Sequence, residues 1–176
     1  YQPLEIIVVD NNSSDNSISI VEHYYPRVIL IKSHENLGIA GGNNLGIAHA
    51  TGEWILLLNN DAWLDNFAIL ELLKEAKTRE SDVIGAREVG YDDNKLVNSG
   101  AWTIDYFGHS CLSNKSGPEE HFYLNGVCLG FRKDLYLASG GLDSDFFMYF
   151  EETDWFWRLN AAGYKSDLSN SIIVHH

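Results

Sequence analysis

Asn59-Asn60-Asp61 closes the apolar run Leu56-Leu57-Leu58. Such a run predicts a buried strand that delivers a carboxylate at its C-terminal end, the rim where open α/β sheets hold ligands. Asp61 can supply one hard carboxylate to Mg²⁺ or Mn²⁺, and Asn59 an amide oxygen. These ions use one or two carboxylates and complete their shell with phosphate oxygens. The chemistry indicated is a metal-neutralised diphosphate. The same residues suit a turn or helix cap, and the spacing leaves both open. Asp10 ends the earlier run Ile6-Ile7-Val8-Val9 in the same manner. It can accept the imide N–H of a pyrimidine base, or satisfy the backbone of the following Asn-Ser turn.

A second acidic cluster is Glu151-Glu152-Thr153-Asp154. Asp154 and Arg158 stand four residues apart on an expected helix, where they can pair. Glu151 and Glu152 lie at the helix start, where the dipole favours acids. If one of them is a general base, Glu152 is the freer. The surrounding Phe146, Phe147, Tyr149, Phe150, Trp155, Phe156 and Trp157 can exclude water and raise a carboxyl pKa towards useful basicity. They can equally stack on sugars or form core. Between the clusters, Asn36, Gly38, Gly41, Gly42, Asn43, Asn44 and Gly46 carry neither a dinucleotide fingerprint nor a P-loop. Close approach of a ligand and close helix packing both remain open there. His175-His176 follow Ile172-Ile173-Val174, where an imidazole can meet a metal or a phosphate.

The elements that must position these residues alternate. Leu4–Val9, Val28–Ile31, Glu53–Leu58 and Val83–Ala86 read as strands with helical spacing between them, the pattern of a parallel α/β sheet. Residues 87–124 read as short antiparallel pieces or an insertion. Val127–Phe131 reads as a further strand, Asp134–Ser139 as a short helix, Asp154–Ala162 as a helix stopped by Gly163, and Ile172–Val174 as a closing strand.

A length of 176 residues suits one domain. The net charge of −13 excludes a basic nucleic-acid face and docking on anionic lipid through charge alone. Cys128 lies among Val127, Leu129 and Phe131 and is expected to be a buried free thiol, which fits a reducing cytosol. No apolar stretch approaches the roughly 18 residues of a membrane span.

The segments 6–15, 36–46, 52–62, 125–133, 140–143, 146–158 and 174–176, in this order, resemble the inverting family 2 glycosyltransferases. The Gly-Gly-Asn-Asn version of the second segment is similar to the rhamnosyltransferase-like members. The resemblance implies a Rossmann-like α/β/α sandwich of the nucleotide-diphospho-sugar transferase type, with a mostly parallel central sheet. It implies one catalytic domain over 1–176, with a nucleotide-sugar-binding half at 1–86 and an acceptor-side half at 87–176.

Position by position, it makes Asp10 the base-contacting acid. Asn12, Asn36, Gly38, Asn43, Asn59, Asn60 and Asp61 fall on the nucleotide-sugar side. Asp61 becomes the last acid of a D-x-D metal motif, His175 the late histidine near metal and diphosphate, and Glu152 the general base. Glu151, Asp154, Trp155 and Arg158 fall on the acceptor side or behind it. The implied partners are a divalent cation (Mg²⁺ or Mn²⁺), a dTDP- or UDP-sugar, and a glycan or lipid-linked acceptor. The implied setting is the cytoplasm, at the inner face of the membrane, with peripheral association of the full-length protein.

The chain departs from the family pattern at Asn59, where the first acid of D-x-D stands, at Glu152, where Asp is commoner, and at Gly42, where many members carry Arg. The family's first strand and nucleotide-contacting loop would precede Tyr1, so truncation at both ends and a sheet without its first strand are expected. A sugar nucleotidyltransferase and a non-catalytic nucleotide-sugar-binding module are the rival readings.

Overall fold

A computed structural model describes residues 4–91, 95–98, 100–107, 109–112 and 121–176. Its elements are β1 (Ile7–Asp10), α1 (Ser17–Tyr24), β2 (Ile29–Lys32), α2 (Gly38–His49), β3 (Trp54–Leu58), β4 (Trp63–Leu64), α3 (Ala68–Arg79) and β5 (Val83–Val89). They continue with β6 (Leu96–Asn98), β7 (Ala101–Ile104), β8 (Ser110–Leu112), β9 (Tyr123–Leu124), β10 (Cys128–Arg132), α4 (Lys133–Ala138), a 3-10 turn (Ser144–Phe146), α5 (Glu151–Ala161) and β11 (Ser166–His175).

The central sheet has six strands, ordered β3-β10-β5-β11-β4, with β6 on β5. β1 and β2 pair in parallel as a separate ribbon. Helix α2 spans the two. Its Gly46 faces Val9 and Ile7, while its Ala40 and Ile47 enter the core beside Ile55.

The expected mostly parallel sheet is corrected to a mixed one. β11 runs parallel to β5, but β10 runs antiparallel to both β3 and β5. The reason lies in the connection. β10 starts at Cys128, which pairs with Leu58 at the C-terminal end of β3. A strand that enters at the rim where its neighbours end must run back against them. β10 comes from residues 87–176 and lies between β3, from 1–86, and β5, which crosses that boundary, so the two stretches share one sheet. The expected antiparallel pieces after residue 87 form the small sheet β8-β7-β9 and the pair β5-β6.

Both faces of the central sheet are covered, as near-continuous apolar strands require. On one face Val83, Leu129 and Phe131 pack with Leu135, Trp155, Phe156 and Leu159 of α4 and α5. On the other, Ile84, Ala86, Cys128, Ile172 and Val174 pack with Ala68, Leu72 and Ala76 of α3. Gly130 admits Leu72, whose Cδ1 would lie 2.7 Å from any Cβ there. Cys128 is a free thiol, and burial pushes its pKa up to about 12.

Candidate active site

β3, β5 and β11 run in one direction, so their C-terminal ends share a rim with the start of β10. Asp61 follows β3, Glu88 lies near the end of β5, Asn125 precedes β10, and His176 follows β11. These four form a chain of contacts. Asn125 Nδ2 donates to Glu88 Oε2 at 2.7 Å, His176 Nδ1 lies 3.1 Å from Glu88 Oε1, and His176 Nε2 lies 3.3 Å from Asp61 Oδ1. Asp61 is exposed, with 70% of its side chain open to solvent, whereas the Glu88 side chain is only 6% exposed. Asn59 is half-buried, donates its N–H to Val127 O at 3.0 Å and turns the chain by accepting from Ala62 N–H at 3.2 Å. Asn60 is exposed.

His175 is placed elsewhere. Antiparallel pairing of β4 with β11 sets Trp63 opposite it, and the two rings stack at 3.6 Å. Its Nε2 meets Asp65 Oδ1 at 3.0 Å, and its Nδ1 is buried without a hydrogen-bond partner. The imidazole facing Asp61 is therefore the next one. Successive residues of an extended segment point to opposite sides, so one histidine turns to β4 and the other to the rim.

A divalent cation fits Asp61 and His176 on geometry. Adjacent ligands of an octahedral ion with bonds of about 2.0–2.1 Å stand about 3 Å apart, and the observed separation is 3.3 Å. Among the described residues no three His, Cys, Asp or Glu side chains converge on one point. An ion here would take the rest of its shell from water or phosphate, as Mg²⁺ and Mn²⁺ do.

The second acidic cluster opens α5. Burial pushes the Glu152 pKa from 4.5 up to about 7, and the adjacent Glu151 carboxylate adds to the rise. Glu151 is buried, and its Oε2 has no hydrogen-bond partner. A pKa raised towards the working pH suits a carboxyl to general-base work.

Asp154 pairs with Arg158 at 2.7 Å, as their spacing predicts. The guanidinium also donates to Gly141 O at 2.6 Å and to Ser139 O, fastening the turn before the 3-10 segment. Of the two places open to Trp155, on the acceptor side or behind it, its burial leaves the second. The residue is 0% exposed, wedged between Phe131 and Tyr136, and its indole N–H donates to Ser139 Oγ at 2.7 Å. The aromatic surround divides in two. Trp155 and Phe156 are core, while Phe146, Phe147, Tyr149, Phe150 and Trp157 are exposed. Phe147, Tyr149 and Phe150 have positive φ of 58°, 71° and 69°. Bulky residues rarely adopt this region, and such strain concentrates at functional sites.

This strained segment reaches across to α2. Phe147 O accepts from Ile39 N–H at 2.7 Å, closing the helix N-terminus. Gly38 has φ +69° and no room for a Cβ beneath the Phe147 carbonyl. The backbone that the Gly-Asn stretch admits is therefore the protein's own.

Asp10 is buried and accepts from Ser13 N–H at 3.2 Å, while Asn12 takes φ +65° in that turn. Asn11 bridges the turn to α2 by accepting from Leu37 N–H at 3.0 Å and donating to Gly38 O at 2.8 Å. Asn36 Oδ1 accepts from Gly38 N–H at 3.0 Å. Asn43 is half-buried on α2. Its neighbour Asn44 makes the long-range link, donating to Leu142 O at 2.8 Å and accepting from Tyr136 at 2.6 Å. Asn11, Glu88 and Asn125 are not marked by the sequence motifs, and of the His175-His176 pair it is His176 that turns to the rim. Strand alternation carries the signal for Glu88 and His176, because Glu88 continues the inward column Ile84, Ala86, and His176 the column Ile172, Val174.

The family model described as glycosyl transferase family 2 matches residues 1–137. Glycosyltransferase GlyG of Streptococcus pneumoniae is 31% identical over 97 residues, covering 53% of this chain and 32% of its own length. N-acetylglucosaminyl-diphospho-decaprenol L-rhamnosyltransferase of Mycobacterium tuberculosis is 24% identical over 206 residues, covering 99% of this chain and 67% of its own. The chain thus spans about a third of the first relative and about two thirds of the second. The structure of mannosyltransferase PcManGT from Pyrobaculum calidifontis, in complex with GDP-Man and Mn²⁺, superposes with TM-score 0.72 at 20% identity. It covers 98% of this chain and 47% of that one. The fold is that of the nucleotide-diphospho-sugar transferases, as expected. No helix among the described residues is long and apolar enough to cross a membrane.

Proposed function

The chain belongs to glycosyl transferase family 2, and from that premise we propose that it moves a sugar from a nucleotide-diphospho-sugar to an acceptor hydroxyl with inversion. The observation that carries this reading is Glu152, a half-buried carboxyl in the first turn of α5 whose pKa burial pushes up to about 7. Its carboxylate takes the proton of the acceptor hydroxyl. The acceptor oxygen bonds to the anomeric carbon as the bond from that carbon to the diphosphate oxygen breaks on the opposite face, through an oxocarbenium-like transition state. One displacement inverts the centre. Asp61 and His176 are the residues that would hold a divalent cation. When bound, the cation offsets the charge that develops on the leaving diphosphate.

Asp10, with Asn12 and Asn36, serves the base side of the donor. Gly38 holds the helix end against Phe147, and Asn43, Asn59 and Asn60 line the donor side. Likeness to the mycobacterial enzyme supports rhamnose as the sugar and a lipid-linked glycan as the acceptor, and dTDP or UDP as the carrier is part of the same proposal. The proposal includes work at the inner face of the membrane in cell-surface polysaccharide synthesis. Residues 1–86 then serve the donor and 87–176 chiefly the acceptor.

The test is a donor screen with UDP-, dTDP- and GDP-sugars on the full chain, with the product anomer read by NMR. Transfer with inverted configuration, lowered by about 10²–10⁴-fold in Glu152→Gln, is the expected result. Near-full transfer by that variant overturns the assignment of the base.

A further inference from the structure

Glu88 takes no part in the transfer chemistry, yet it is 5% exposed at the rim end of β5. The other inward positions of that column are Ile84 and Ala86, so an apolar side chain would suit the strand. A buried carboxylate there needs partners, and it has them at both oxygens. Asn125 Nδ2 donates to Oε2 at 2.7 Å, and His176 Nδ1 lies 3.1 Å from Oε1. An ionised carboxylate only accepts, so the Nδ1 facing it carries the proton. In the neutral ring with its proton on Nδ1, Nε2 presents a bare lone pair, and it faces Asp61 Oδ1 at 3.3 Å. Two acceptors turned towards each other are compatible when a cation lies between them.

Resting on the cation reading above, we propose that Glu88 is a positioning residue: with Asn125 it fixes His176 in the Nδ1–H form and aims Nε2 at the ion position shared with Asp61. A carboxylate behind a ligating imidazole sets its tautomer, orients its ring and raises its basicity. The backbone supports the arrangement. β5 and β11 are in parallel register, with Val174 opposite Glu88 and His175 opposite Val89. His176 N–H donates to Val89 O at 3.1 Å, which extends that ladder by one residue. His176 and Glu88 then project from the same face one step apart along their strands. The turn at 125–127 is tied by Asn125 N–H to Gly100 O at 2.9 Å and by Asn59 N–H to Val127 O at 3.0 Å. One turn thereby joins Asn125, which holds Glu88, to the β3 end, which carries Asp61.

The test has two readouts on the full chain. The first is ¹⁵N-histidine NMR of the metal-free protein above the imidazole titration range, with His176 identified by its loss in His176→Ala. The second is Mn²⁺ uptake in the presence of UDP, followed by electron paramagnetic resonance. Expected are a proton on Nδ1 of His176 in the wild type, and in Glu88→Ala its partial transfer to Nε2 with Mn²⁺ affinity weakened by about 10–100-fold. Glu88→Gln keeps an acceptor without the charge and should give an intermediate affinity, which decides the matter if the alanine variant does not fold. A wild-type proton on Nε2 overturns the proposal, as does wild-type affinity in the Glu88 variants. If His176→Ala loses Mn²⁺ while the Glu88 variants keep it, only the role of Glu88 falls. If the wild type takes up no Mn²⁺ with UDP, the cation reading falls and this proposal with it.

Discussion

The carbonyl of Phe147 lies directly over Gly38 and accepts from the next N–H, that of Ile39, at 2.7 Å. A residue of the 87–176 stretch thus closes the helix that the Gly-Asn stretch forms. Gly38→Ala would add a Cβ against that carbonyl and force a non-glycine residue to φ +69°. We expect a loss of about 1–3 kcal/mol, read as a lower midpoint in urea unfolding. An unchanged midpoint would mean that the Phe147 segment does not seal the helix in solution.

Glu152→Gln should make the protein more stable at alkaline pH. The folded-state pKa of Glu152 is raised from 4.5 to about 7. A carboxyl with a raised folded pKa contributes stability that is fully present below about pH 4.5 and is lost as pH rises through about 7. The shift corresponds to about 3 kcal/mol. The variant should therefore melt higher than wild type above pH 7 and lose that advantage by pH 4. In the wild type, kcat/KM should rise with pH along a limb centred near 7.

The two adjacent histidines should behave oppositely. His176→Ala should weaken Mn²⁺ binding with UDP by tenfold or more, on the order of other metal-shell losses, with a stability cost confined to the partner that Glu88 Oε1 loses. His175→Ala removes a ring stacked on Trp63 at 3.6 Å and paired with Asp65. It should cost about 1–3 kcal/mol of stability. Calorimetry and metal titration on the same samples separate the two.

Asp61→Asn removes the one acid of the Asn59-Asn60-Asp61 motif. We expect UDP binding to lose its Mn²⁺ dependence while binding without metal stays the same, measured by titration before and after a chelator. Retained Mn²⁺ enhancement would place the ion elsewhere.

Trp155→Phe should separate core from acceptor contact. The indole is fully buried and donates to Ser139 Oγ. Its loss should destabilise the fold by about 1–3 kcal/mol through a small void and an unpaired hydroxyl. The KM for acceptor should stay at its wild-type value well below the melting temperature.

The sequence by itself determined the local elements and the placement of acids at their ends. Apolar runs that stop at Asp10 and Asn59 fold as β1 and β3, since continuous apolar strands need cover on both faces, and the Asp154–Arg158 spacing becomes an ion pair because α5 is a helix. Motif order along the chain also marked the family. Only the tertiary structure decided what those acids meet. β10 folds back between β3 and β5, and no local propensity specifies strand direction. That reversal brings Asn125 to the rim beside Glu88. Whether His175 or His176 faces Asp61 depends on the pairing of β4 with β11. A shift of one residue there exchanges the two sides, so it is settled by register across 110 residues from Asp65 to His175 and not by the dipeptide itself.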